Sequence, residues 1–188
     1  MAKPPKTPRP PKPPFIPLKP GDRIDTRITD AHKIMMADVI ERWAKLENCM
    51  DDLIWEILKV SFNVGRIITN RMDAAGKIKL LRQLGTIELT EAQYHRISPE
   101  IDKIDLLRED RNFIVHGSWG TLLPATIPIC GSVRPNAPNP DEVMLETFPD
   151  TRMQTIAADI ENAKQPLIAL RVELAASPRK PDGPHPGG

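Results

Sequence analysis

Apolar residues recur at three- and four-residue steps along most of the chain. From about residue 30 to 60, Met36, Val39, Ile40, Trp43, Leu46, Met50, Leu53, Ile54 and Ile57 form one stripe at the helical period, with Asp30 placed to cap it. A second stripe, at about 67–84, holds Ile68, Met72, Ala75, Ile78 and Leu81, with Gly85 positioned to end it. Thr90-Glu91-Ala92-Gln93 is a capping-box pattern that opens a third helix. Ser98-Pro99 places an N-cap and a first-turn proline inside it, so this helix either kinks or restarts there, and it stops at Gly117. Thr151-Arg152-Met153-Gln154 opens the last helix, whose stripe is Met153, Ile156, Ala157, Ile160, Ala163, Leu167, Leu170 and Leu174. Residues 118–149 break this rhythm. Trp119, Thr121, Leu122, Ile127, Ile129 and Val133 are mixed with Gly and Pro, and 143–148 adds a short extended run, predicting a β-hairpin or meander with 136–140 as its loop. The pattern predicts an all-α chain, a four-helix up-down bundle with a small β-hairpin or meander inserted between helices 3 and 4.

Both ends depart from this pattern. Residues 1–22 hold nine prolines, so 1–23 is expected to be a disordered, basic, polyproline-like arm. Residues 177–188 are expected to be a disordered tail, which leaves 24–176 as the domain. The formal charge of +1 over 188 residues conceals an asymmetry. The arm carries Lys3, Lys6, Arg9, Lys12, Lys19 and Arg23 against Asp22, a net +5; the tail adds +1, and the body is left at −5. A body of that sign is not a general phosphate-binding surface, so any nucleic-acid contact must be local or come from the arm.

No apolar run reaches membrane-span length, and the basic N-terminus lacks an apolar signal core, so no membrane partner is expected. Cys49 and Cys130 fit no metal spacing and read as reduced thiols of a cytoplasmic protein. No phosphate-binding glycine loop, nucleophile elbow or metal-ligand cluster is present, and no cofactor or metal is expected.

The third stripe contains an anomaly. With Ile101 at zero, Ile104, Leu107, Ile114 and Val115 centre near about 280°, and Arg111 falls at about 280°. An arginine there must find a carboxylate, another protein surface or a ligand phosphate. Asn112 and His116, four residues apart, share a neighbouring face. His116 sits in the last turn, where the helix dipole favours its proton. Glu47, on the edge of the first stripe at about 40° from Trp43, is the candidate carboxylate for Arg111. Glu109 and Asp110 beside the motif read as solvated charges, with Asp110 a supporting residue.

Arg111-Asn112-x3-His116, following a long first helix and closing the third, resembles the R-x4-6-H motif of HEPN domains, helical domains of bacterial toxin and defence systems. The resemblance spans about 30–176, and the insert at 118–149 is less typical of minimal members. It implies a metal-independent endoribonuclease acting as a homodimer, a toxin or phage-defence effector with RNA as substrate and an antitoxin or other regulatory partner. In that reading the RNA 2′-hydroxyl attacks its own phosphate. His116 transfers a proton, Arg111 holds the charged transition state, and Asn112 orients the phosphate or ribose. Two chains meeting there would supply two histidines to one cleft. The alternative is a non-catalytic helical dimerisation or protein-interaction module, in which Arg111 pairs with Glu47 and His116 caps a helix.

Overall fold

The computed structural model describes residues 23–123, 127–132 and 144–176. The expected arm at 1–22, the loop at 136–140 and the tail at 177–188 lie outside them. Among the described residues, five helices and four strands follow in the order β1 (Arg23–Asp25), α1 (Asp30–Leu58), α2 (Phe62–Thr69), α3 (Ala74–Glu88), α4 (Glu91–His116), β2 (Ser118–Leu123), β3 (Ile127–Ser132), β4 (Met144–Thr147) and α5 (Asp150–Ala176). The protein is mostly helical, with one small antiparallel sheet.

The first stripe forms α1. Thr29, not Asp30, is its N-cap: the Thr29 backbone is extended and its hydroxyl accepts the His32 N–H. Lys59, at φ 54°, ends the helix in the left-handed conformation. Val39, Trp43, Leu46, Met50, Leu53, Ile54 and Ile57 are buried as the period predicts, while Ile40, at the stripe's edge, is exposed.

The second helix differs from expectation. The segment divides into α2 and α3, because Asp73 caps a new helix by accepting the Gly76 N–H at 2.7 Å. Gly85 does not end α3; it lies within it, and a Cβ there would sit 2.9 Å from the Tyr94 ring, so the glycine lets α4 approach. The capping box at Thr90–Gln93 forms with both reciprocal hydrogen bonds. Beyond it α4 runs unbroken through Pro99, neither stopping nor restarting, at the loss of one hydrogen bond to the His95 carbonyl. The last helix opens one residue early, at Asp150.

Side-chain pairs fix the directions of the helices. His32–Asp150, Arg42–Glu161, Asp52–Arg171 and Lys59–Leu174 step along α1 and α5 in the same sense, so these two are parallel. Arg96–Glu173 at one end and Asp110–Arg152 at the other set α4 antiparallel to α5. In a four-helix up-down bundle the first and last helices are antiparallel; here the extra helix α2 lies between them in sequence and these pairs trace a different arrangement. Between α1 and α3 the buried Lys77 meets Asp51 at 2.8 Å, and Arg82 joins α3 to Asp102 and Asp105 of α4. The core is one continuous cluster of the buried faces of α1, α3, α4 and α5, reaching into the sheet through Cys130 and into Phe148.

The expected insert is a meander, β2-β3-β4. Residues 23–25, too few to show a period, add β1 to its edge by pairing with 121–123. Arg23, expected to close the arm, is therefore a strand residue. No helix of the described residues is long and apolar enough to cross a membrane.

Candidate functional site

The C-terminal turn of α4 is built against the sheet. The last helical carbonyls need partners from outside the helix. Ile114 O accepts the Trp119 indole N–H at 2.8 Å, and Phe113 O accepts the Gly117 N–H at 2.9 Å and faces the Cys130 thiol at 3.6 Å. Gly117 has φ −74° and ψ 153°, a backbone any residue adopts. Its lack of a side chain matters for space, since a Cβ would lie 2.1 Å from Cys130 Sγ and 2.6 Å from Phe113 O. Phe113 stacks on Phe148 at 5.4 Å, and Trp119 meets the same ring edge-on at 5.1 Å. The β insert therefore seals one side of the helix end and fixes where its polar face points.

Ile114 and Leu107 are buried on the stripe and Arg111 lies between them, half-buried. Its Nη1 donates to Asn112 Oδ1 at 3.1 Å, while its Nε is buried with no hydrogen-bond partner. Asn112 is half-buried and His116 is exposed. The last turns of α4 thus carry a guanidinium held by an amide, and an exposed imidazole one turn beyond Asn112.

The expected carboxylate partner is not there. Glu47 is half-buried on α1, and among the described residues it makes no ion pair with Arg111 or any other cation. Glu47 shares the stripe's edge with the exposed Ile40, and it is not enclosed in the core. Asp110 is instead engaged with α5, 3.7 Å from Arg152.

Two further residues stand at this end of the molecule. Arg152, in the first turn of α5, lies over the Phe148 ring at 3.8 Å and donates to Thr147 O at 3.1 Å. A cation in the first turn opposes the helix dipole, and that placement was its signal in the sequence. His32 is buried, with Nδ1 2.9 Å from Thr29 Oγ1 and Nε2 3.1 Å from Asp150 Oδ1; the latter contact has an ion-pair distance without hydrogen-bond alignment. No spacing in the sequence places His32 there. Beside this region, α4 and α5 enclose a cavity of about 360 Å³ lined in part by Leu106, Leu107, Asp110 and Asp159. Among the described residues no group of three or more His, Cys, Asp or Glu side chains is placed to hold a metal ion.

Compared with protein-family models, curated proteins and solved structures, the chain matches none.

Proposed function

We propose that the end of α4 is a ribonuclease site of HEPN type, with Arg111, Asn112 and His116 as its working residues and RNA as its substrate. The observation that carries this reading is Arg111. Its Nε is buried with no hydrogen-bond partner and its guanidinium meets no carboxylate of the described residues, so its position on an apolar stripe has no structural explanation in Glu47. A buried donor without a partner costs about 1–3 kcal/mol, and a functional role is one of the few reasons for a protein to keep one. A phosphate oxygen is the acceptor a guanidinium fork fits best.

The chemistry assigned to the site follows from the side chains. Asn112 Oδ1 takes one arm of the guanidinium, and the reading assigns the remaining donors to the phosphate. His116, exposed one turn on, transfers a proton between the 2′-hydroxyl or the leaving 5′-oxygen and solvent. A single chain offers one such histidine, so the reading includes a homodimer that brings two α4 ends to one cleft. A regulatory partner such as an antitoxin belongs to the same reading. The alternative, a non-catalytic helical dimerisation or protein-interaction module, loses the Glu47–Arg111 pair as its account of Arg111 but keeps the acidic body in its favour.

Arg111→Ala separates the two. The proposal expects RNA cleavage to be lost while unfolding free energy changes by no more than about 1 kcal/mol, since the truncation removes a buried unsatisfied donor along with some packing. A loss of about 3–5 kcal/mol with no change in an RNA assay would place Arg111 in a buried structural pair and remove the site.

A further inference from the structure

The short helix α2 is a surface at odds with the rest of the body. Phe62 is 61% exposed, Val64 46%, Ile67 78% and Ile68 37%. Elsewhere the exposed large apolar residues stand singly, such as Ile34 and Ile87, or as the pair Ile168 and Val172 on α5, and no other short segment of the described residues gathers four. The helix is held in this orientation from beneath. A Cβ at Gly65 would sit 2.4 Å from the Trp55 ring, so the glycine lets α2 lie flat on that indole. Buried Thr69, one turn on, accepts the Trp55 indole N–H at 3.3 Å and donates to the Gly65 carbonyl. The inner face is thus fixed by Gly65 and Thr69, and the apolar side chains are left pointing away from the core.

The charge pattern is equally local. No Asp or Glu occurs between Glu56 and Asp73, in a body that is acidic overall. Most lysines and arginines of α1, α3, α4 and α5 pair with a carboxylate. Arg66 and Arg71 pair with none of the described residues. Arg66 lies 5.7 Å from the centre of the Phe62 ring, and Phe62 meets Trp55 edge-on at 5.4 Å. Between α1 and α2 these residues open onto a cavity of about 330 Å³, lined by Asn48, Trp55, Phe62, Arg66, Thr69 and Asn70, with Asp51 and Asp52 on its α1 wall.

We infer that α2 and this cavity form a docking surface for a segment of another protein that carries apolar side chains interleaved with carboxylates. The apolar patch supplies contact area. The cavity, walled by tryptophan, phenylalanine and arginine, has the residue types that receive an anchor side chain at interaction hot spots. Arg66 and Arg71 supply the charge that an acidic partner meets. A second copy presenting the same face would set these arginines against each other, so a symmetric self-contact is disfavoured. Asp51 and Asp52 in the cavity wall are paired with Lys77 and Arg171. Two arginines, unpaired among the described residues and set among four exposed apolar side chains, match a segment mixing apolar residues with a few carboxylates better than the unbroken charge of a bilayer or an RNA backbone. The surface lies at the end of α1 remote from His32 and Asp150, and so from the Arg111–His116 turn, and the inference does not depend on the ribonuclease reading.

The test uses a display library of short random peptides selected on the full chain and counter-selected on Ile67→Asp. Arg66→Glu serves as an independent second variant. Both positions are exposed, so circular dichroism and urea midpoints should equal those of the wild type. The expected result is enrichment of peptides alternating apolar residues with Asp or Glu, whose Kd weakens by about tenfold or more in each variant. The inference is overturned if no peptide distinguishes wild type from Ile67→Asp, or if the selected peptides are basic. It is also overturned if phosphatidylglycerol vesicles, or a second copy of the chain, bind through Ile67 while peptides do not.

Discussion

Gly117→Ala tests how the helix end that carries His116 is held. The backbone is no obstacle, since φ −74° and ψ 153° suit alanine. Space is the obstacle. The new methyl would lie 2.1 Å from Cys130 Sγ, 2.6 Å from Phe113 O and 3.4 Å from Gly131 O, where carbon atoms in good contact sit about 3.5–4.0 Å apart. Cys130 is fully buried and Phe113 O belongs to the helix, so neither can simply swing away. The strand or the last turn of α4 must shift by more than an ångström. Overpacking of this kind costs about 1–3 kcal/mol, and two contacts of such closeness put the substitution at the upper end. Urea denaturation followed by far-ultraviolet circular dichroism gives the value, with the m-value unchanged. Cys130→Ala removes the sulfur and leaves the carbonyl contact. In the double variant part of the Gly117→Ala loss should therefore vanish, a coupling of about 1 kcal/mol or more. Stability within about 0.5 kcal/mol of wild type for Gly117→Ala, or strict additivity in the double variant, would refute the packing account of this glycine.

Lys77→Met should destabilise the fold by about 2–3 kcal/mol by stranding Asp51, somewhat below the roughly 3–5 kcal/mol of a fully buried pair because both partners keep a little exposure; Lys77→Met with Asp51→Leu should recover most of it in the same urea assay. Burial pushes the Asp105 carboxyl up, but hydrogen bonds from Arg108 and Arg82 outweigh it and hold its pKa below the usual carboxylate value. A carboxylate lowered in the folded state contributes stability that is present above its unfolded pKa of about 3.9 and is lost as pH falls through the folded value, so Asp105→Asn should flatten the stability–pH curve below about pH 4 and leave its slope near neutrality unchanged. Burial raises the pKa of the Cys49 thiol, and Cys130 is fully enclosed. A thiol reagent at neutral pH should therefore label Cys49 slowly and Cys130 only on unfolding, which mass spectrometry of the labelled peptides reads directly.

The parts of the fold legible in the sequence were those set by periodicity. Trp43, Leu46, Met50 and Leu53 on α1, Ile101, Ile104 and Leu107 on α4, and Met153 to Leu170 on α5 are buried as their spacing predicts. The capping box at Thr90 is legible for the same reason, as a local pattern with a local cause. What was not legible depends on contacts between distant segments. Gly85 looked like a helix stop, but its role is to admit Tyr94 from α4. The residues of β1 have no pattern of their own and are a strand only because β2 offers an edge. The parallel course of α1 and α5 follows from the division of the second helix at Asp73, a capping aspartate that a continuous apolar stripe concealed. At the candidate site, the spacing of Arg111, Asn112 and His116 put them on adjoining faces of one helix end, which is where they are. Glu47 was placed by its angle on α1, and an angle on one helix does not say which neighbour it faces. The sealing of the helix end by Trp119, Cys130 and Phe148 could not be read from the motif, because it comes from an insert folded back onto it.

The measurement that bears most directly on the proposed ribonuclease site is cleavage of total and transfer RNA by the purified protein in excess EDTA, with His116→Ala beside the wild type. His116 is exposed, so the variant should match the wild type in circular dichroism and in oligomeric size. The account predicts cutting by the wild type alone, leaving 2′,3′-cyclic phosphate ends, because the attacking group is the RNA's own hydroxyl and His116 moves its proton. Equal cutting by both proteins, or no cutting by a folded wild type, would contradict it.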